Sequence, residues 1–539
     1  MSRREAWISA VVVFAVALAV RIAAAAAISF PVPENTAYYV GVARSLVEGR
    51  GLISDALWSF QTQPLVVPRA AFEVWLPLPS LLAALPMAVT GAAEWLRAAQ
   101  AVSVLAGSAV AVMAWRIAAD VAVEMDLPAG RARTLAVGTG LVAAGLGPLV
   151  MYSVLPDSTE LFAALALAAC LLMTRISSKP GRDRRLVVLG AVIGLAALTR
   201  SEAVWLGLAW AIVGWFWTPG TRRERILLIA VPAAVALAVY SPWAVRDWLV
   251  FGNPLPGQAI SNALYLHDYD IFAYRDPPTI ARFLGQGPVG LAGTYLRGLG
   301  NDLVLVLALP AFPVGLVGLM VLPWTCRHRA LRPLVVVSLV TFLATSLMFP
   351  VATLSGTFLH SAGAVFALLA LSCLLAFDGL IVRIGRIRHW TKPVAWIGPG
   401  LAIAAILPLM FVTVQTVARQ SNDTRDRYAA LPAALALAGV PLTGPVITDH
   451  PIWLAEATRV TAIALPQESP ESVLALANRF GAKLLIVDSK GEHRWPAILE
   501  QGGIASQCFR EVNFADNSPG MVKGSSPSSE FRVFRIACP

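Results

Sequence analysis

Apolar runs separated by short polar loops fill the chain up to about residue 420, and eleven of them read as membrane-crossing helices: 7–29, 97–118, 134–155, 158–176, 185–199, 202–218, 226–244, 302–323, 333–351, 357–378 and 394–416. Several run about 18 to 22 residues without a charge, enough helix to cross a bilayer core. The first, Trp7 to Phe30, is too long for a signal-peptide core and has no clear cleavage site, so it reads as a retained helix. From about Ser421 the hydropathy drops. "GPVITDHPIWLA", "AKLLIVDSK" and "EFRVFRIAC" then alternate with the helix-like "PESVLALANRF", the pattern of a small α/β unit. The predicted fold class is an all-α polytopic membrane protein over 1–420 with a small C-terminal α/β domain over 421–539.

Basic residues orient these helices. Arg175, Lys179, Arg182, Arg184 and Arg185 crowd one loop, Arg222, Arg223 and Arg225 a second, Arg327, Arg329 and Arg332 a third, and Arg383, Arg386, Arg388 and Lys392 a fourth. The positive-inside rule makes these loops cytoplasmic, together with the N-terminal "MSRRE". One more segment, "VWLPLPSLLAALPMAVTG" at 74–91, is apolar enough to compete as a crossing. If it crossed, the loop after Arg175 would lie outside. Its three prolines, Pro77, Pro79 and Pro86, also weaken a spanning helix. It is therefore expected to lie in the outer interface. The protein is expected in the cell membrane, N-terminus cytoplasmic and α/β domain extracytoplasmic.

Composition agrees. With 57% hydrophobic and 14% charged residues, the chain has too much apolar surface to hide in a soluble fold of its size. The net charge of +10 sits in the short loops just named, so it signals orientation and not nucleic-acid binding. Of five cysteines, Cys170, Cys326 and Cys373 lie in or beside apolar segments, and no Cys/His spacing resembles a zinc site. Cys508 and Cys538 are the only two in the α/β region, where an oxidising compartment permits a disulfide.

The expected outer side gathers the candidate chemistry. Glu34 follows the first helix directly, and Tyr39, Val42, Leu46 and Val47 then fall on one face of a helix over 36–48 that can lie flat on the membrane. A carboxylate held there can reach both a lipid headgroup and a water-borne acceptor, as a general base must. Glu73 lies beside a tryptophan in "PRAAFEVW". Asp157 has two readings, a cap on the helix "STELFAALALAA" or a site residue. Arg200 reads as a snorkelling helix-end arginine or an anion ligand, and Arg246 as a partner for its neighbour Asp247 or a second ligand. His360, ending "ATLSGTFLH", reads as an interface residue.

In order along the chain, "ENTAYY", "ARSLVEGRG", "FEVWLPLPSLLAALPMAVTG", the "PD" corner at Asp157, "GLAALTR" and "SPWAVRDWLVFGNPLPG" resemble the GT-C glycosyltransferases. The similarity is to bacterial members of the protein O-mannosyltransferase and aminoarabinose lipid A transferase group, and covers about residues 1–380. Those enzymes place an Asp about four residues before a tyrosine that opens a juxtamembrane helix. Here Tyr38 holds the tyrosine's place and Glu34, one methylene longer, the acid's. Where the lipid A transferases have a Lys after the second loop acid, this chain has Val74. The resemblance implies a polyprenyl-phosphate-linked sugar as donor and a glycan, lipid or protein hydroxyl as acceptor, joined by one inverting displacement. It implies Glu34 as catalytic base, and Arg200, Asp157, Arg246 and Tyr38 as substrate-binding residues. It also implies Glu73 as a ligand of a divalent cation. The alternative is a transporter or lipid-handling protein without transferase chemistry, which would line a path with charges inside its helices; Arg21 is the clearest such charge.

Overall fold

The structure, a computed structural model, describes residues 2–91, 95–178, 184–257, 259–354, 356–390, 394–489, 493–500, 502–512 and 530–538. Lys179, Arg182 and Lys392 of the basic loops lie outside them. Seven described helices are long and apolar enough to cross a membrane, and a bent pair makes an eighth candidate. Numbered in chain order with the shorter helices that matter here, they are α1 (Arg3–Ala26), α2 (Glu34–Val47), α3 (Leu78–Thr90), α4 (Trp95–Glu124), α5 (Ala129–Gly145), α6 (Gly147–Val154), α7 (Thr159–Ser178), α8 (Arg184–Ala197), α9 (Ala203–Phe216), α10 (Arg222–Phe251), α11 (Gly287–Ala308), α12 (Val314–Met320), α13 (Arg332–Met348), α14 (Gly363–Ile387), α15 (Ile397–Leu437), α16 (Pro451–Thr458) and α17 (Pro470–Phe480).

Prolines explain most departures from the expected spans. The segment 134–155 is α5 and α6, bent by 54° where Gly147 and Pro148 follow the last turn of α5. Arg21 of α1 fills the break, donating to the Ala144 carbonyl at 3.1 Å and to Ser153 Oγ at 2.8 Å. The segment 302–323 splits at Leu309–Pro313 into α11 and α12, with Pro310 and Pro313 in the gap. Helix α3 has 13 residues, about 20 Å at 1.5 Å per residue, short of the ~30 Å core. It packs against α2 and α4, and Ser80 donates to the Tyr39 carbonyl at 2.9 Å. Helices α8 and α9 have 14 residues each.

Helix α15 runs unbroken for 41 residues through Ser421, so the drop in hydropathy there marks a change of surroundings along one helix. Beyond it lies a six-stranded sheet, in the order β2-β5-β4-β6-β8-β7. Its strands are β2 (Ala56–Leu57), β4 (Val446–Thr448), β5 (Ala462–Ala464), β6 (Leu484–Asp488), β7 (Phe509–Glu511) and β8 (Phe531–Ile536), while β1 (Ile53–Ser54) and β3 (Arg69–Ala70) form a separate pair. Strands β2, β5, β4 and β6 are parallel; β8 is antiparallel to β6 and β7. Successive residues alternate between two buried faces. Ile447, Ile463, Leu485 and Val487 pack with Val473, Leu476 and Trp495. Val446, Ala462, Leu484 and Ile486 share a core with Tyr38, Tyr39 and Val42 of α2, Tyr428 and Leu431 of α15 and Trp453 of α16. Burial on both faces is why "LLIV" reads as a continuous apolar run. The edge strand β2 belongs to the first loop, registered Ala56 against Ala462, so that loop is built into the α/β domain. Cys508 and Cys538 are disulfide-bonded, joining the turn before β7 to the residues after β8.

Candidate functional site

Four chain segments meet at the α6–α7 corner. Asp157 is buried, and its Oδ1 accepts the Thr159 N–H at 2.6 Å, capping α7. Its Oδ2 lies 3.5 Å from Asn35 Nδ2 and 4.0 Å from His360 Nδ1. The capping reading of Asp157 therefore holds, and its other oxygen is turned to the cluster. Thr159 Oγ1 and His360 Nδ1 are 2.6 Å apart. Next to Asp157, Ser158 Oγ accepts from Arg200 Nη1 at 2.8 Å, while Arg200 Nη2 pairs with Glu202. Arg200 Nε is buried and makes no hydrogen bond among the described residues. Burial pushes the Asp157 carboxyl up to about 6, against the pull of Thr159, Arg200 and Asn35. An apolar cleft between α3 and α4, lined by Pro79, Ala83, Ala99, Val102 and Leu161, runs up to Asp157.

Glu34 opens α2 one residue before Asn35, and its carboxylate turns toward the α/β domain. Oε1 accepts the Ile452 N–H at 3.1 Å near the start of α16, and Oε2 lies 3.6 Å from His450 Nδ1. The first loop builds a third group. Glu73 is buried with Arg69, Oε1 to Nη1 at 3.4 Å, and Arg69 also donates to the carbonyls of Ser59 at 3.0 Å and Thr62 at 3.2 Å. Burial raises the Glu73 carboxyl and Arg69 draws it back down. Tyr38 is buried among Trp58, Phe72 and Trp75, and its hydroxyl accepts the Phe72 N–H at 2.7 Å, so it fastens the loop to α2. Arg246 lies over the Trp243 ring at 4.7 Å and pairs with Asp247 at 2.8 Å.

The structure thus brings Asp157 and Arg200 together and sets Glu34 on the same α2 turn as their neighbour Asn35. Glu73, Tyr38 and Arg246 lie in the loop and helix packing beside them. Among the described residues no three His, Cys, Asp or Glu side chains converge as a metal site, and Glu73 is paired with Arg69. Both Glu73 carboxylate oxygens are buried without a hydrogen bond among the described residues, so Glu73 is the acid that would hold a divalent cation, and no step below is routed through one.

Sequence reasoning treated His360 as an interface residue and overlooked Asn35, Ser158 and His450. His360 reaches Asp157, and His450 reaches Glu34, only through the fold, from far along the chain. Asn35 stood beside the chosen acid and could have been found from its place on α2.

No family model and no curated protein matches the chain. Solved structures do. ArnT from Cupriavidus metallidurans bound to undecaprenyl phosphate superposes with a TM-score of 0.56 at 14% identity, covering 99% of this chain and 99% of that one. The oligosaccharyltransferase AglB from Archaeoglobus fulgidus, in complex with an inhibitory peptide and a dolichol-phosphate, gives 0.55 at 13% identity over 97% of this chain and 75% of its own. A complex of the Archaeoglobus fulgidus oligosaccharyltransferase with Zn and sulfate gives 0.56 at 14%, over 94% and 72%. The chain shares the overall fold of these enzymes. The two ends of this chain, bundle and α/β domain, both fall within the superposition on ArnT.

Proposed function

We propose that this protein is a membrane glycosyltransferase that moves a sugar from a polyprenyl-phosphate donor to an acceptor hydroxyl at the outer membrane face. The observation that carries the reading is the corner where Arg200, whose buried Nε makes no hydrogen bond among the described residues, sits beside Asp157 within the GT-C fold. The arginine suits the phosphate of the donor.

In this reading the acceptor oxygen attacks the anomeric carbon and its proton passes to Glu34. The bond from that carbon to the phosphate oxygen breaks, and the electron pair leaves on the phosphate. One displacement inverts the anomeric configuration. Charge grows on the phosphate as it departs, and Arg200, held in place by Ser158 and Glu202, stabilises it in a poorly hydrated setting. Asp157 and His360 orient Asn35 and the α7 corner around the donor. Arg246, stacked on Trp243, adds positive charge beside the first loop. The N-terminus is cytoplasmic and the α/β domain faces outward.

The transporter alternative loses its main support. Arg21 is engaged by Ser153, by the Ala144 carbonyl at the α5 break and by Glu160 at 4.0 Å, so it braces a broken helix and lines no path. Incubating the purified protein with a panel of radiolabelled polyprenyl-phosphate-linked hexoses and pentoses tests the reading. Transfer to an acceptor with inverted anomer supports it, and no turnover of any donor by protein shown to bind undecaprenyl phosphate contradicts it.

A further inference from the structure

Helix α2, which opens on Glu34, is fastened along its length to α16. At its start, Glu34 accepts the Ile452 N–H at 3.1 Å and faces His450 Nδ1 at 3.6 Å. Farther along, Arg44 pairs with Glu456 at 2.6 Å, both nearly buried. Just past its end, Glu48 pairs with Arg459 at 2.8 Å. Strand β2, a few residues on, adds the first loop to the sheet beside β5. Where Glu34 points is therefore decided by the α/β domain.

We propose that the α/β domain is a working part of the transfer site, with His450 as a positioning residue that clamps the Glu34 carboxylate toward the acceptor. The inference rests on the reading of Glu34 as base. A base must be aimed, and an imidazolium 3.6 Å from one oxygen, as an ion pair, with a helix N–H on the other holds its direction.

The groups around His450 support a charged ring. Glu34 faces it from α2, Asp449 precedes it, and Asp488 lies at the end of β6. Arg427 of α15 is 2.6 Å from Asp488, Tyr428 is buried nearby, and the Trp453 ring packs on the imidazole at 4.5 Å. His493, close enough to feel the His450 charge, is itself brought down to about 4, chiefly by burial. Burial also pulls His450 down, but Glu34, then Asp449 and Asp488, more than offset it and bring the ring up to about 9. A histidine raised on folding is clamped most fully below its unfolded value of about 6.5, and the clamp is lost as pH rises through about 9.

The test needs the full-length protein in detergent and two variants, Glu34→Gln and His450→Gln, the latter close in size to the parent. Histidine-selective NMR requires no donor. The imidazole signal absent from His450→Gln should titrate near pH 9 in the parent and at least about one unit lower in Glu34→Gln, which removes the facing charge. With labelled polyprenyl-phosphate sugar, His450→Gln should lower kcat about 10-fold with donor KM within about twofold, the scale of a misaimed group. It should also abolish the alkaline fall in rate, and it should lower the unfolding temperature, because a histidine whose pKa is raised on folding stabilises the fold. A His450 signal unmoved in Glu34→Gln overturns the clamp. So does parental kcat in His450→Gln beside an inactive Glu34→Gln, which leaves the base reading standing. Parental turnover in Glu34→Gln overturns the base reading and this inference with it.

Discussion

Arg200 and Asp157 sit side by side yet carry opposite demands. Arg200 uses two nitrogens to hold Ser158 and Glu202, and keeps Nε free. If that fork grips the donor phosphate, Arg200→Ala should weaken binding of undecaprenyl phosphate and turnover more than Arg200→Lys, which retains charge without the planar geometry. Equal, parental values for both would reduce Arg200 to a membrane anchor. Asp157 is a buried acid with its pKa raised to about 6, so its ionisation opposes folding, and stability falls as pH rises from about 4 through about 6. Asp157→Asn keeps an oxygen for the Thr159 N–H and removes the charge. At pH 7.5 its unfolding temperature should equal or exceed the parent's while turnover drops at least about 10-fold; thermal scans and rates on one preparation check both. These two residues were legible because each ends an apolar run or opens a helix. Their neighbours were not. His360 and His450 carry no local pattern, and only the packing of distant segments makes them part of the site.

At the scale of elements, hydropathy found the greasy segments but could not see where prolines divide them. Segments 134–155 and 302–323 look continuous by composition, yet Pro148, Pro310 and Pro313 break the hydrogen-bond ladder there. Helix α3 is expected not to span because its prolines and the charge parity agree; its 13 residues fall short of a full crossing, as do the 14 of α8 and of α9, which the sequence reads as crossings. The ends of α3 should both face outward. In protein whose free cysteines are replaced, Gln63→Cys and Thr90→Cys should each react with an impermeant reagent added from outside; protection of Thr90→Cys alone would put α3 across the membrane. The Cys508–Cys538 bond closes a loop with a sequence separation of 30, and replacing both by Ser should cost the α/β domain about 3 to 4 kcal/mol in the chain-entropy model. Denaturant unfolding with and without reductant measures it.

Across the whole molecule, the helix-then-sheet order was plain in the sequence, while the union of its two ends was not. Strand β2 is two residues long, too short to show a strand pattern, and it pairs with β5 from the far end of the chain. That pairing and the fastening of α2 to α16 join the first loop to the α/β domain, with Glu34 at their junction. The most direct test is the turnover of Glu34→Gln with a labelled polyprenyl-phosphate sugar, beside Asp55→Asn, whose parent residue is in the same loop and pairs with Arg50. The account predicts retained fold and donor binding, a rate loss of roughly 100-fold or more, about 2.7 kcal/mol of barrier, and a nearly silent Asp55→Asn. Near-parental turnover in Glu34→Gln would contradict it.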